Sequence, residues 1–141
     1  MKKPTVSSQK KKLDRIFSEY IRQRDSDENG YVRCYCCGKI LRWQESQNMH
    51  FIPRQHTALR YNEINCHAGC VKCNYYNNGN IEAYAVHLKK DYGEDIVERL
   101  LITKSQSTKI SNAEYEIMIN KYNELVKEIK TKRNGRNLER Y

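Results

Sequence analysis

"CHAGCVKCN", residues 66–74, places three cysteines, a histidine and an asparagine within nine positions. Cys70 and Cys73 make one C-x-x-C, and Cys34 and Cys37, in "YVRCYCCGKILRW" (31–43), make another. Paired knuckles of this kind, in a chain without an export signal, favour one tetrahedral four-cysteine zinc site over disulfides. Cys36 and Cys66 are left over. A Cys66-x3-Cys70 pair or one containing Cys36 competes for the metal in principle, but the two-residue spacing fits a zinc knuckle better, so both are read as free, partly buried thiols. A redox motif of the thioredoxin kind is the other reading of C-x-x-C, and the absence of a βαβ pattern counts against it.

Composition says why a metal is needed. The chain has 141 residues, enough for one domain, and only 38% of them are hydrophobic, with 11 tyrosines and two phenylalanines. An apolar core of that make-up stabilises only part of a fold. Structural zinc contributes roughly 10–16 kcal/mol of apparent free energy near neutral pH. Lys and Arg outnumber Asp and Glu by 26 to 17, a net charge of +9 that suits a polyanionic partner such as nucleic acid. No apolar run approaches the ~18 residues of a membrane span, so a soluble intracellular protein is expected, with no membrane partner.

Outward from the knuckles, residues 1–9 read as a disordered basic tail. From Lys11 to Arg24, Leu13, Ile16, Phe17, Tyr20 and Ile21 recur at helical spacing. "DSDENG" (25–30) ends that helix. It imitates the start of a calcium loop, but the twelfth position is Cys36 where the anchoring glutamate belongs, and calcium is rejected. The segment 31–43 reads as a β-hairpin around the first knuckle, and "NMHFIPR" (48–54) as a short strand stopped by Pro53. "GNIEAYAVHLKKDYG" (79–93) is a helix with a glycine stop, followed by a shorter one near residues 94–101. "SNAE" (111–114) is a capping box opening a helix to about Arg133, with Tyr115, Met118, Tyr122, Leu125, Val126 and Ile129 as its apolar stripe. Residues 10–133 thus form one α+β domain with flanking N-terminal and C-terminal helices, and 134–141 a basic tail.

His50 lies between the knuckles and Asn74 directly follows the second, so one zinc gathering both knuckles brings the two face to face. The order Cys-x-x-Cys, His, Asn, Cys-x-x-Cys-Asn resembles the zinc-bearing HNH, or ββα-metal, nucleases, with Asn65 at their middle asparagine. More narrowly, "HFIPR", "LRYNEINCH", "CVKCN" and the following "GN" resemble the lambdoid-phage NinG, or Rap, recombination endonucleases, over about Leu13 to Lys130. The resemblance implies a small ββα-metal core and a metal-dependent, structure-selective DNA endonuclease. Its substrates would be branched recombination intermediates, D-loops and Holliday junctions, with no small-molecule substrate. It further implies a phage- or prophage-encoded protein in the cytoplasm of a bacterial host, working as a homodimer. The stripe of the last helix is read as core or as a dimer interface that a partner could cover.

Phosphodiester hydrolysis assigns the roles. Neutral imidazole takes a proton from water at working pH, which makes His50 the candidate general base. A divalent ion, Mg2+ or Mn2+, stabilises charge on the phosphorane and leaving oxygen, with Asn74 as a ligand through its amide oxygen. Asn65 is expected to orient His50 by a hydrogen bond. His67 matches a histidine of the NinG-like pattern and is a candidate second metal ligand, or equally a packed or phosphate-contacting residue. Many HNH enzymes carry an acid just before the base; here that neighbour is Met49, which leaves Glu45 and Glu63 as candidate carboxylates. Arg54 and Arg60 flank the pocket as candidate phosphate-binding residues. Two other readings stand beside this one: a non-catalytic zinc module that binds nucleic acid or a protein, needing neither His50 nor Asn65, and an HNH nickase acting on ordinary duplex.

Overall fold

The computed structural model describes residues 2–106 and 108–139, with side chains through residue 135. The first helix, α1 (Val6–Arg24), starts inside the stretch expected to be a disordered tail, because Thr5 caps it: its hydroxyl accepts the Ser8 N–H at 3.1 Å. Leu13, Phe17 and Ile21, spaced four apart, are at most 1% exposed. Burying each stabilises the fold by roughly 1.5–3 kcal/mol. After α1, Asp27 holds the turn by accepting the N–H groups of Asn29 (2.8 Å) and Tyr31 (3.0 Å), so this acid of the calcium-like loop serves its own backbone.

Two antiparallel hairpins follow. The first pairs β1 (Tyr31–Arg33) with β2 (Ile40–Arg42) around the first knuckle, where Gly38 takes a φ of +79° that a side chain would resist. The second pairs β3 (Gln47–His50) with β4 (Cys66–Gly69), Met49 opposite His67 and His50 opposite Cys66. Strand β4 is an addition to the sequence reading, which saw only metal spacing there. A short helix, α2 (Thr57–Arg60), lies in the intervening loop, and β4 runs into a wide turn, Lys72–Tyr76, closed by the Asn77 N–H on the Lys72 carbonyl at 2.9 Å.

Helices α3 (Ile81–Tyr92) and α4 (Ile96–Lys104) are separated by Gly93, and α5 spans Asn112–Glu139. Ser111 caps α5 as expected, its hydroxyl accepting the Glu114 N–H at 3.2 Å, while the Glu114 carboxylate accepts that hydroxyl (3.0 Å) where a capping box has it take the Ser111 N–H. The helix runs past Arg133, so the tail expected at 134–141 is helical as far as Glu139.

The core has two parts. One joins the knuckles, Met49, Phe51, Tyr84, Leu88, Ile96 and Leu100; the other joins Leu13, Phe17 and Ile21 of α1 to Tyr115, Ile119 and Tyr122 of α5. Of the two readings of the stripe, core and dimer interface, the structure gives core: the chain's own α1 covers it. Arg24 and Asp25 tie the end of α1 to β4: Arg24 donates to the Cys66 carbonyl (2.9 Å) and Asp25 accepts the Ala68 N–H (2.8 Å).

Candidate metal centre and active site

The four sulfurs of Cys34, Cys37, Cys70 and Cys73 lie within 4.8 Å of one another. The Cys37 and Cys70 sulfurs are 3.7 Å apart, too far for a disulfide and close to the edge of about 3.8 Å that a tetrahedron with Zn–S bonds of ~2.3 Å requires. Burial opposes ionisation of Cys70, but the Cys73 N–H and neighbouring thiols outweigh it and bring its pKa down to about 7. The donor set thus fits a tetrahedral thiophilic cation. Cys36 and Cys66 stand outside it. Each is buried, and their thiols donate to the carbonyls of Gly79 (3.7 Å) and Arg60 (3.8 Å).

Beside this cluster opens a cleft of about 480 Å³ whose lining includes Asp14, Arg22, Asn48, His50, Arg54 and Asn74. His50 Nε2 lies 2.9 Å from the Arg60 carbonyl. A carbonyl only accepts, so Nε2 carries the proton and Nδ1 keeps its lone pair. Burial, with the charges of Arg60 and Arg54, holds His50 below the usual imidazole range despite that hydrogen bond, so it is neutral at pH 7.

Asn74 also lines the cleft, with its amide N–H on Gln47 Oε1 at 2.7 Å, which leaves its oxygen as the atom available to a cation. Asn65, fully buried, does something other than expected. Its oxygen accepts the Ile52 N–H (2.9 Å) and its amide donates to the carbonyls of Ile52 (2.9 Å) and Leu59 (3.2 Å). It staples the loop after His50 and does not hold the ring.

His67 is elsewhere. Strand residues alternate faces, and His67, opposite Met49, turns to the other side of the ribbon from His50. Its Nδ1 donates to the Tyr84 hydroxyl (3.1 Å), its Nε2 accepts from Tyr92 (3.0 Å), and its ring stacks on Tyr35 at 3.9 Å. Both nitrogens are used, so the structure gives a packed residue in place of a second metal ligand. Burial lowers its pKa to about 4.

Arg60 is likewise committed. Its guanidinium grips Asp14 through Nε (2.8 Å) and a terminal nitrogen (2.6 Å), and donates to the Arg54 carbonyl at 3.1 Å. Arg60 also lines the cleft, but with 8% of its side chain exposed and its guanidinium bound to Asp14 it is a loop anchor, which leaves Arg54 as the candidate phosphate contact. Glu63 accepts hydrogen bonds from Tyr20 (2.8 Å) and Tyr122 (3.3 Å) under α1, and neither it nor Glu45 lines the cleft. The carboxylate that does is Asp14. Sequence reasoning missed it, as it missed Arg22, since both flank the apolar stripe for which alone the helix was read, and both are half-buried.

The NinG family profile, described as "Bacteriophage Lambda NinG protein", matches residues 2–132. Curated relatives named "Protein ninG" include that of Escherichia phage lambda, 30% identical over 90 residues, and that of Escherichia phage 933W, 29% identical over 90 residues. The one in Salmonella phage P22 is also 29% identical over 90 residues. The match to the lambda protein covers 64% of this chain and 42% of that protein, so the chain spans about two fifths of the length of the relatives it matches. No solved structure matches.

Proposed function

The chain belongs to the NinG family, and from that premise we propose that it is a metal-dependent DNA endonuclease of the HNH, or ββα-metal, type, acting on branched recombination intermediates. The observation that carries the reading is His50: a neutral imidazole at the wall of an open cleft, its Nε2 pinned on the Arg60 carbonyl and its Nδ1 without a hydrogen-bond partner among the described residues. That is the protonation state and placement a general base for water requires. The succession β3, stapled loop, β4, turn, with His50 on the first strand and Asn74 on the turn, supports the ββα reading.

In this scheme zinc in the four-cysteine cluster holds the two knuckles together. Asn74 presents its oxygen to a divalent ion, Mg2+ or Mn2+, which when bound would supply charge stabilisation for the phosphorane and the leaving oxygen. His50 takes the proton of the attacking water on Nδ1. Arg54 and Arg22 on the cleft wall meet the phosphate backbone. Tyr75 and Tyr76, on the turn that carries Asn74, are 72% and 71% exposed and offer rings on which an unpaired base at a branch can stack.

Junction resolution needs two cuts, which favours a homodimer. Because α1 covers the stripe of α5, a second copy would meet another surface. The test is labelled four-way junction and linear duplex, with and without magnesium, beside His50→Ala. Cleavage of the junction that needs both the ion and His50 is the expected result, and junction binding without cutting would favour a binding module instead.

A further inference from the structure

Asp14 and Arg60 are 46 residues apart, and their contact joins α1 to the loop that holds the candidate base. Arg60 sits at the end of α2, and its carbonyl is the atom on which His50 Nε2 rests. Three anchors fix that residue: the two-point grip of Asp14, the Arg54 carbonyl, and the Tyr61 ring, whose centroid lies 6.0 Å from the guanidinium. Tyr61 in turn donates its hydroxyl to Asp14 at 2.7 Å. A guanidinium this buried needs a countercharge, and no residue of the loop itself supplies one.

We propose that Asp14 is a positioning residue: by holding Arg60 it fixes the carbonyl that selects the Nε2–H tautomer of His50 and aims Nδ1 into the cleft. The inference rests on His50 being the base. It makes α1 part of the active site, although α1 lies outside the strand–loop–strand unit. With Asp14 neutralised, the Arg60 side chain loses its grip, the end of α2 shifts, and the ring samples both tautomers. A misplacement of about 1 Å at a base costs about 10²-fold in rate.

The experiment uses the full chain loaded with zinc and compares Asp14→Asn, Asp14→Glu and Tyr61→Phe. Ring-nitrogen NMR of His50 reads the tautomer without reference to cutting, so it decides the inference even if the nuclease reading fails. Cleavage of labelled junction DNA separates kcat from KM. Asp14→Asn is expected to mix the tautomers and lower kcat about 10²-fold with KM and zinc content held, and Asp14→Glu to restore most of both. An unchanged His50 spectrum in Asp14→Asn overturns the inference. Should that variant lose its zinc, Tyr61→Phe decides: partial mixing supports the clamp, and a wild-type spectrum with wild-type kcat overturns it.

Discussion

His50 and His67 stand on adjacent pairs of one two-strand ribbon and face opposite ways. Met49 is opposite His67 and Cys66 opposite His50, so a single step along either strand separates a histidine at the cleft from one locked between two tyrosines. Their chemistry divides accordingly.

Of the two histidines, only His50 is expected to matter for cutting. His50→Ala removes the base and should lower the rate by roughly 10²–10⁴-fold while zinc and DNA affinity stay unchanged. His67→Phe, a residue the cleft does not see, should cut at the wild-type rate per folded molecule. Single-turnover cleavage with both variants checks this, and a wild-type rate in His50→Ala would reassign the base.

Acid stability is expected to report His67. Its folded pKa of about 4 lies below the unfolded value of about 6.5, so between those values the unfolded chain binds the extra proton. Stability is therefore lost as pH falls from about 6.5 towards 4 and levels off below, by about 3 kcal/mol at most from this residue. Urea unfolding of wild type and His67→Phe across that range measures the difference, in which acid-driven metal release common to both cancels. Parallel curves would refute it.

Removing a knuckle cysteine should unfold the chain. Zinc contributes roughly 10–16 kcal/mol, as much as an ordinary domain's whole stability of about 5–15 kcal/mol. Cys34→Ser and Cys73→Ser should emerge without zinc and without a cooperative melt, whereas Cys36→Ser and Cys66→Ser should keep one zinc per chain by elemental analysis.

The two loop arginines should separate binding from folding. Arg54→Ala is expected to weaken DNA affinity and reduce the salt slope by about one, with the melting curve unchanged. Arg60→Ala strands Asp14 and frees the loop, costing roughly 3 kcal/mol of stability, the low end for a broken buried pair because Asp14 is a quarter exposed. Salt titrations beside denaturant melts distinguish them.

Tyr75→Ala with Tyr76→Ala should lower affinity for junction DNA by about 1–3 kcal/mol for each stacked base and leave duplex affinity nearly unchanged. Competition binding without divalent ions measures it, and equal losses on both DNAs would remove the stacking role.

What the chain determines by itself is everything that acts over a few residues. Two C-x-x-C pairs mark where the knuckles fold, the Ser111–Glu114 spacing marks a helix start, and the shared cleft of His50 and Asn74 was legible because the knuckles fix where the two meet. Boundaries drifted where a cap was overlooked: Thr5 lengthened α1 into the expected tail. Tertiary structure alone decided which partner each polar group took. Asp14 reaches Arg60 across 46 residues, the α5 stripe meets α1 before it can meet a second copy, and His67 is sealed by tyrosines 17 and 25 positions away. No local pattern encodes these pairings, because a buried charge or ring nitrogen accepts any partner of suitable chemistry, and only the packing of distant elements selects one.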